Sequence, residues 1–290
     1  MNENILEILV FNVGQAQAIF FYPRNNPEYG MLVDCAESDD CKPIDFLVAQ
    51  NLIHWNQANY RHELDNLTLT NYDHDHFSGL PGIQEKVHIK TVRLPKNISS
   101  QELKDIKPEE TDALNAVCEL KDTYIYDIHD HQPPYKVFGY HLEQNELESN
   151  EINTNHLSQI VFVEFGGSKI CICGDLEKPA WEKILLKPEI QTHLRTTNVF
   201  VASHHGRDNG YHDGIFTYCT NPDCVIISDK ELAYDTQDAM ASTYAQHINY
   251  GVYFNGENQL RKVLTTRNDG HLWIRFDTQG NRSYQNFSME

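Results

Sequence analysis

Short apolar runs alternate along the chain with segments of helical periodicity. The runs that predict strands are 5–13, 18–22, 30–35, 67–70, 88–94, 157–165, 169–173, 199–203 and 252–254. Apolar residues at helical spacing, in three cases after a proline, predict helices over 43–54, 108–120, 179–186 and 239–248. Gly166 and Gly167 separate two of the runs and predict a hairpin. Strands that alternate with helices and also pair in a hairpin favour mixed sheets with helices outside them.

The charge balance narrows the class of partner. The chain of 290 residues has 42 acidic and 23 basic residues, which gives a formal net charge of −19. A surface this acidic repels nucleic acid at long range, which argues against a non-specific nuclease. We therefore expect either a small substrate or a partner protein that supplies a basic surface.

Targeting signals are missing from the sequence. No apolar run approaches the roughly 18 residues of a membrane-spanning helix. The first residues have no basic region followed by an apolar segment, so we expect a cytoplasmic protein without a membrane partner. Seven cysteines fit small buried residues in a reducing compartment. No linker is evident, so we expect a single domain over 1–290.

The richest group of polar side chains follows the strand 67–70. Four metal-binding side chains, Asn71, Asp73, Asp75 and His76, stand within six residues. A strand end that turns into a loop can aim alternate side chains at one point, as metal binding requires. Aspartate and histidine together suit a divalent ion such as Mn²⁺ or Zn²⁺. Asn71 is neutral and offers only a carbonyl oxygen, so it is the weakest of the four.

Two further strand ends carry candidates. Asp175 follows a glycine, which lets the backbone turn sharply at the end of the strand 169–173. His204 and His205 follow the strand 199–203, and strand alternation would send them to opposite faces. Gly206 makes a break in that strand plausible, which would let both histidines reach one site.

Weaker candidates lie in loops. His156 precedes the strand 157–165 and is the best additional ligand. Arg207 and Lys230 follow two strand ends and could contact a phosphate, or could be ordinary surface charges. The segment 129–131, His-Asp-His before two prolines, is interpreted as a solvated loop.

These segments resemble the metallo-β-lactamase superfamily. Its signature T-H-x-H-x-D-H-x-G-G is similar to T-N-Y-D-H-D-H-F-S-G at 70–79. Further similar segments stand in the family's order: F-N-V-G-Q-A-Q-A at 11–18, G-M-L-V-D-C-A at 30–36, I-C-I-C-G-D-L-E at 170–177 and V-F-V-A-S-H-H-G at 199–206. Aspartate at position 73 is typical of the branch that contains the nuclease-like domain of ComEC. Asn71 departs even from that branch.

The resemblance implies an αββα sandwich, in which two mixed sheets carry helices on their outer faces, and up to two metal ions. The implied ligands of the second ion are Asp75 and His76, and Asp75 would also orient the attacking water. Asp175 would bridge the ions, whereas Asn71, Asp73 and His156 would complete the first site. One of His204 and His205 would bind metal and the other would contact the leaving group or phosphate of the substrate. Our assignment gives the metal to His205 and the catalytic contact with the substrate to His204.

The function expected from this resemblance is hydrolysis by a metal-activated water. The first hypothesis is a Zn²⁺- or Mn²⁺-dependent phosphodiesterase or nuclease, whose substrate is a nucleic acid or a small nucleotide. The second is a hydrolase of carboxylic esters or lactones. The third is a non-catalytic or partner-dependent interaction module, which the loss of histidine at position 71 motivates. The number of bound ions stays open.

Overall fold

A computed structural model describes residues 4–107, 109–125, 132–148, 152–230 and 236–289. Within these ranges the strands are β1 Ile5–Val10, β2 Ala18–Pro23, β3 Met31–Cys35, β4 His54–Asn56, β5 Arg61–Thr68, β6 Val87–Arg93, β7 Lys136–His141, β8 Gln159–Phe165, β9 Ser168–Ile172, β10 Val199–Val201, β11 Cys224–Ile227, β12 Val252–Tyr253, β13 Leu260–Arg261, β14 Val263–Thr265, β15 His271–Asp277 and β16 Arg282–Phe287. The helices are α1 Pro43–Ala49, α2 His74–Phe77, α3 Leu80–Lys86, α4 Ser100–Ile106, α5 Asp112–Thr123, α6 Lys178–Ile184, α7 Pro188–Arg195, α8 Gly214–Tyr218, α9 Thr236–Ala245 and α10 Thr266–Asp269. None of these helices is long and apolar enough to cross a membrane.

Two large mixed sheets form the framework. The first has the order β16-β15-β1-β2-β3-β5, and both β4 and β6 also pair with β5. The second has the order β14-β11-β10-β9-β8-β7. In the second sheet β9, β10, β11 and β14 are parallel, so their carboxyl ends meet at one edge. In the first sheet β3, β5 and β6 are parallel to one another.

Alternate side chains of the central strands serve two different layers of core. In β1, Leu6, Ile8 and Val10 pack with Val161, Ile172 and other residues of the second sheet, so the two sheets face each other. Leu9, between them, belongs to the other cluster, which also contains buried residues of helices α1, α3, α5, α6 and α7. Because period-two alternation places neighbouring residues on opposite faces, the sheets lie inside and the helices outside. The predicted αββα arrangement of two mixed sheets is confirmed.

Several predicted boundaries shift. The helix predicted over 43–54 ends at Ala49, and β4 follows it. The helix predicted over 108–120 runs from Asp112 to Thr123, since the Thr111 side chain caps it by accepting a hydrogen bond from Leu114 N. Pro108 itself lies outside the described residues. The strand predicted over 67–70 begins much earlier, at Arg61.

Candidate metal centre

Four side chains from three strand ends converge at one point. Asp75 and His76 lie on the short helix α2 after β5, Asp175 follows β9, and His205 follows β10. One nitrogen or oxygen atom of each lies within 4.8 Å of the others. His76 Nε2 is 3.0 Å from Asp175 Oδ1, and His205 Nε2 is 3.6 Å from the same oxygen. His205 Nε2 is also 3.3 Å from Asp75 Oδ2.

A break in the backbone after β10 brings both histidines of the His-His-Gly segment to the site. His204 and His205 have φ of 51° and 53°, and Gly206 follows with φ of 73°. Left-handed conformations are uncommon for residues other than glycine and recur at functional sites. Strand alternation therefore ends at Val201, and both imidazoles turn toward Asp175. A Cβ at position 206 would lie 2.8 Å from Ile227 Cγ2, so glycine is required there.

Each histidine of the four-residue cluster is oriented through a contact of its Nδ1 atom. His205 Nδ1 is 3.1 Å from the Ser228 carbonyl oxygen. A carbonyl only accepts hydrogen bonds, so Nδ1 carries the hydrogen and Nε2 presents its lone pair to the cluster. His76 Nδ1 is 2.8 Å from Asp34 Oδ2, which orients that ring in the same way. Carboxylates and carbonyls behind a histidine are the usual second layer of a metal site.

The atoms at the centre face one another. His76 Nε2 and His205 Nε2 are buried and lie 3.0 Å and 3.6 Å from the buried Asp175 Oδ1, and none of the three has a hydrogen-bond partner elsewhere among the described residues. Buried polar atoms are nearly always paired, because an unpaired one costs about 1–3 kcal/mol. Two imidazole nitrogens that converge on the carboxylates of Asp175 and Asp75 form a donor set that fits a divalent metal ion.

The charges within the cluster raise the pKa of His76 and lower the pKa of its two aspartates. Burial acts to lower the pKa of His76, but the carboxylates of Asp175 and Asp34 outweigh it, so this pKa is raised well above its ordinary value. Burial acts to raise the pKa of Asp175, yet the charges of His76 and His205 bring it far below the ordinary range. Burial also acts to raise the pKa of Asp75, but its contacts with His205 and His76 outweigh burial, so the pKa of Asp75 is lowered. The site therefore holds ionised carboxylates.

The raised pKa of His76 predicts that metal affinity depends on pH. A metal ion requires unprotonated Nε2, so binding must release the proton that the neighbouring carboxylates stabilise. We expect affinity to rise by up to about tenfold per pH unit between pH 6 and 8. Competition with a chromophoric chelator at several pH values measures this slope. A flat profile would contradict the assignment of His76 as a ligand.

Two residues of the first motif lie outside the cluster. Asn71 donates through Nδ2 to Asn155 Oδ1 at 3.0 Å, and its buried side-chain oxygen has no hydrogen-bond partner. Asp73 accepts a hydrogen bond from Thr154 Oγ1 at 2.7 Å and forms an ion pair with Lys107. The four-residue cluster therefore contains Asp75 and His76 from this segment, whereas Asn71 and Asp73 contact neighbouring loops.

A second polar group surrounds Glu177 on the other side of Asp175. Glu177 Oε1 accepts hydrogen bonds from Asn155 Nδ2 at 2.9 Å and Asn209 Nδ2 at 2.8 Å. His156 Nε2 lies 3.2 Å from Glu177 Oε2, and His204 Nδ1 lies 3.3 Å from Oε1. His156 thus contacts a carboxylate and is not part of the metal-binding cluster.

His204 lies between the cluster and an exposed arginine. Its Nε2 is 3.8 Å from Asp175 Oδ2 and 3.1 Å from Arg207 Nη1. Burial and the positive charge of Arg207 lower the pKa of His204 despite the nearby carboxylates. A guanidinium only donates, so Nε2 is the accepting atom of this imidazole. Arg207 also donates to the side-chain oxygen of Gln15 when the amide is oriented with that oxygen toward it. Lys230 is exposed, and its Cβ lies close to Gly14, the residue before Gln15.

The chain is similar to solved structures with low sequence identity. No family model matches the sequence, and a search of curated proteins finds no significant match. Among solved structures, the metallo-β-lactamase fold protein YhfI from Bacillus subtilis is 9% identical, with 97% of this chain and 100% of that chain covered and a TM-score of 0.48. A diphosphatase of the PhnP family is 9% identical, with coverage of 94% and 98% and a TM-score of 0.45. The metallo hydrolase Igni18 from Ignicoccus hospitalis is also 9% identical, with coverage of 97% and 100% and a TM-score of 0.43. At these sequence identities and TM-scores, the similarity does not identify a substrate for this chain.

Sequence reasoning assigned no role to three residues that shape the site. Asp34 and Ser228 orient the two histidines of the cluster, and Glu177 contacts His204. A signal existed for Glu177, because it stands two residues after Asp175 and could share its face. No local pattern identifies a carbonyl such as that of Ser228. Residues 129–131 lie outside the described part of the chain.

Proposed function

We propose that the chain is a metal-dependent hydrolase of phosphodiesters that uses one divalent ion, Zn²⁺ or Mn²⁺. The ligands would be Asp75, His76, Asp175 and His205. The convergence of two buried imidazole nitrogens on one buried carboxylate oxygen, beside Asp75, carries this proposal. When bound, such an ion lowers the pKa of a water molecule toward neutrality and polarises the scissile P–O bond.

One ion is favoured over two by the contacts of the remaining candidates. Asn71 can offer only a neutral amide oxygen, which is a weak ligand, and Asp73 forms an ion pair with Lys107. His156 contacts Glu177, whose carboxylate also accepts two amide hydrogen bonds. A second cation would have to break the contacts of Asp73 and His156 to collect a charged or imidazole ligand. The network of amides and Glu177 therefore occupies the side of Asp175 where the family resemblance implies another ion.

The remaining side chains suggest how a substrate would be held. Asp75 is the ligand residue most in contact with solvent, with 34% of its side chain exposed, whereas the other three are nearly inaccessible. Its carboxylate is placed to orient a water molecule and accept a proton from it. Arg207 presents a guanidinium beside His204, and an exposed guanidinium suits a phosphate oxygen.

The overall charge favours a small substrate. With a net charge of −19, the surface would repel a long polyanion, and binding would depend on the few cations near the site. A cyclic nucleotide or a dinucleotide carries only one or two phosphates, so the acidic surface would repel it far less than a long polyanion. We therefore propose a small phosphodiester as the substrate, and cleavage of long nucleic acid would require a basic partner.

A substrate panel with matched metals tests this function. We expect protein loaded with Zn²⁺ or Mn²⁺ to cleave bis(p-nitrophenyl) phosphate and cyclic or linear dinucleotides, and to cleave single-stranded DNA or RNA much less. A chelator should abolish the activity, and the same ion should restore it. Hydrolysis of p-nitrophenyl acetate or a lactone with no phosphodiester cleavage would overturn the substrate class. Absence of all hydrolysis by metal-loaded protein would overturn the enzymatic proposal.

The Arg207→Met variant tests the role of the guanidinium. Removing a charge-assisted contact to phosphate should raise KM about tenfold, with a smaller change in kcat. Lys178→Met is the matched control, because Lys178 is an exposed cation paired with Asp208 at 3.1 Å. Equal effects of the two substitutions would show that Arg207 acts through general surface charge and not at the substrate.

A further inference from the structure

A cavity beside β6 is lined by residues that are separate from the four-residue cluster. It has a volume of about 590 Å³ and is bounded by residues of β6, α4, α5, β7 and β8. Arg93, Lys96 and Lys121 line it, and Asp122 is the only carboxylate among its described lining residues. We name it the Lys121 cleft. Lys121 is the cation on which an anion site here depends, because its contacts leave a donor available.

Lys121 is the best-defined cation of the cleft. Its Nζ atom donates to Tyr72 Oη at 2.7 Å and to the Pro95 carbonyl oxygen at 3.1 Å. It also lies 4.6 Å from the centroid of the Tyr72 ring. An ammonium group has three N–H donors, so these contacts leave one. Among the described residues, no carboxylate lies within ion-pair distance of Lys121.

Partial burial makes this ammonium group sensitive to an added anion. Burial lowers the pKa of Lys121 to about 8, and the surrounding negative charges compensate only in part. A charge that has lost solvent without gaining a carboxylate partner gains more from an anion than an exposed lysine does. The N–H that is not hydrogen-bonded is therefore the natural contact for an anionic group.

The apolar part of the lining fits the carbon skeleton of a small organic molecule. Val92, Leu94, Ile98, Tyr124 and Ile125 line the same cavity as the cations. Pockets for small ligands are typically about 300–1,000 Å³ and combine apolar walls with a few polar groups. A volume of about 590 Å³ falls in this range. An inorganic anion would leave most of the apolar wall uncovered.

We propose that the Lys121 cleft binds a small organic phosphate of the size of a nucleoside monophosphate. Its phosphate accepts a hydrogen bond from Lys121, and its planar body packs on the apolar wall beside Tyr124. The inference requires no metal and no catalytic activity, so it stands independently of the proposed function. Tyr72 connects the cleft to the cluster, since it contacts Lys121 and lies between β5 and helix α2, which carries Asp75 and His76.

Calorimetric titration of AMP, adenosine and inorganic phosphate tests the proposal. The Asp175→Asn protein serves as the background, because it lacks a ligand of the proposed metal centre and leaves the cleft unchanged. We expect AMP to bind more tightly than either fragment. Adenosine binding as tightly as AMP would overturn the role of the phosphate. Phosphate binding as tightly as AMP would overturn the role of the apolar wall, and no saturable AMP binding at millimolar concentration would overturn the site.

Three variants in that background locate the binding. Lys121→Met should weaken AMP binding about tenfold or more, because a charge-assisted hydrogen bond is lost. Ile125→Glu places a carboxylate at a residue that is 58% exposed, so it should weaken AMP binding without affecting the core. Lys136→Met, an exposed lysine outside the cleft, should leave binding unchanged. Unchanged affinity in both Lys121→Met and Ile125→Glu would contradict the proposed location.

Discussion

Asp175→Asn is expected to lower the affinity for the divalent ion by more than about 100-fold and to abolish measurable hydrolysis. The Asp175 carboxylate is buried and contacts both histidines of the cluster, at 3.0 Å from His76 and 3.6 Å from His205. Asparagine keeps the shape of the side chain but removes the negative charge that would balance the ion. It can also turn an N–H group toward the metal position.

Asp73→Asn is the matched control for this substitution. Asp73 belongs to the same sequence motif as Asp75 and His76 but lies outside the four-residue cluster, where it contacts Thr154 and Lys107. We expect its metal affinity to change by no more than about threefold, although the lost ion pair can lower stability by up to about 1 kcal/mol. Metal affinity measured by chelator competition, with circular dichroism to confirm folding, separates the two variants. Equal losses in both would contradict the four-residue ligand set.

Asp34→Asn should lower metal affinity by about 10–100-fold without removing a ligand. Asp34 is fully buried and accepts hydrogen bonds from Thr70 N at 2.6 Å, Thr70 Oγ1 at 2.5 Å and Gln17 Nε2 at 2.7 Å, besides its contact with His76. In either orientation an asparagine amide would direct N–H toward one of these donors. The His76 ring would lose its fixed direction, and unfolding free energy should fall by about 1–3 kcal/mol.

Asp65→Asn provides a control for the loss of a buried carboxylate in the same sheet. Asp65 is 1% exposed and pairs with Lys90 at 2.6 Å, but it does not contact a member of the metal cluster. We expect a comparable loss of unfolding free energy in chemical denaturation and unchanged metal affinity. If Asp34→Asn binds metal as tightly as the unsubstituted protein, the role assigned to Asp34 is wrong.

The fold could be predicted well where apolar patterns were clean. Residues 157–173 formed the expected hairpin, because two apolar runs flank Gly166 and Gly167. Most of β5 was missed because its first residues are polar. Asp65 and Asn66 are buried there through contacts with Lys90 and Thr91 on the neighbouring strand. Such pairings join residues far apart in sequence, so local periodicity cannot detect them.

The candidate site shows the same limit. Asp75, His76, Asp175 and His205 could be selected by their positions at strand ends, and the structure brings them together. The contacts that separate Asp73 from this group involve Lys107 and Thr154, and no local pattern connects those residues. The orientation of the imidazoles likewise depends on distant partners. Residue type and spacing thus indicate candidates, whereas tertiary contacts decide which of them can share one ion.

Metal content is the most direct test of the central claim. We would measure it by inductively coupled plasma mass spectrometry on protein purified without chelators and then supplied with Zn²⁺ or Mn²⁺. The structure predicts one tightly bound ion per chain, which Asp175→Asn loses and Asp73→Asn retains. Two tightly bound ions would contradict the assignment of Asn71, Asp73 and His156 to hydrogen bonds and ion pairs. No bound ion would contradict the metal centre itself.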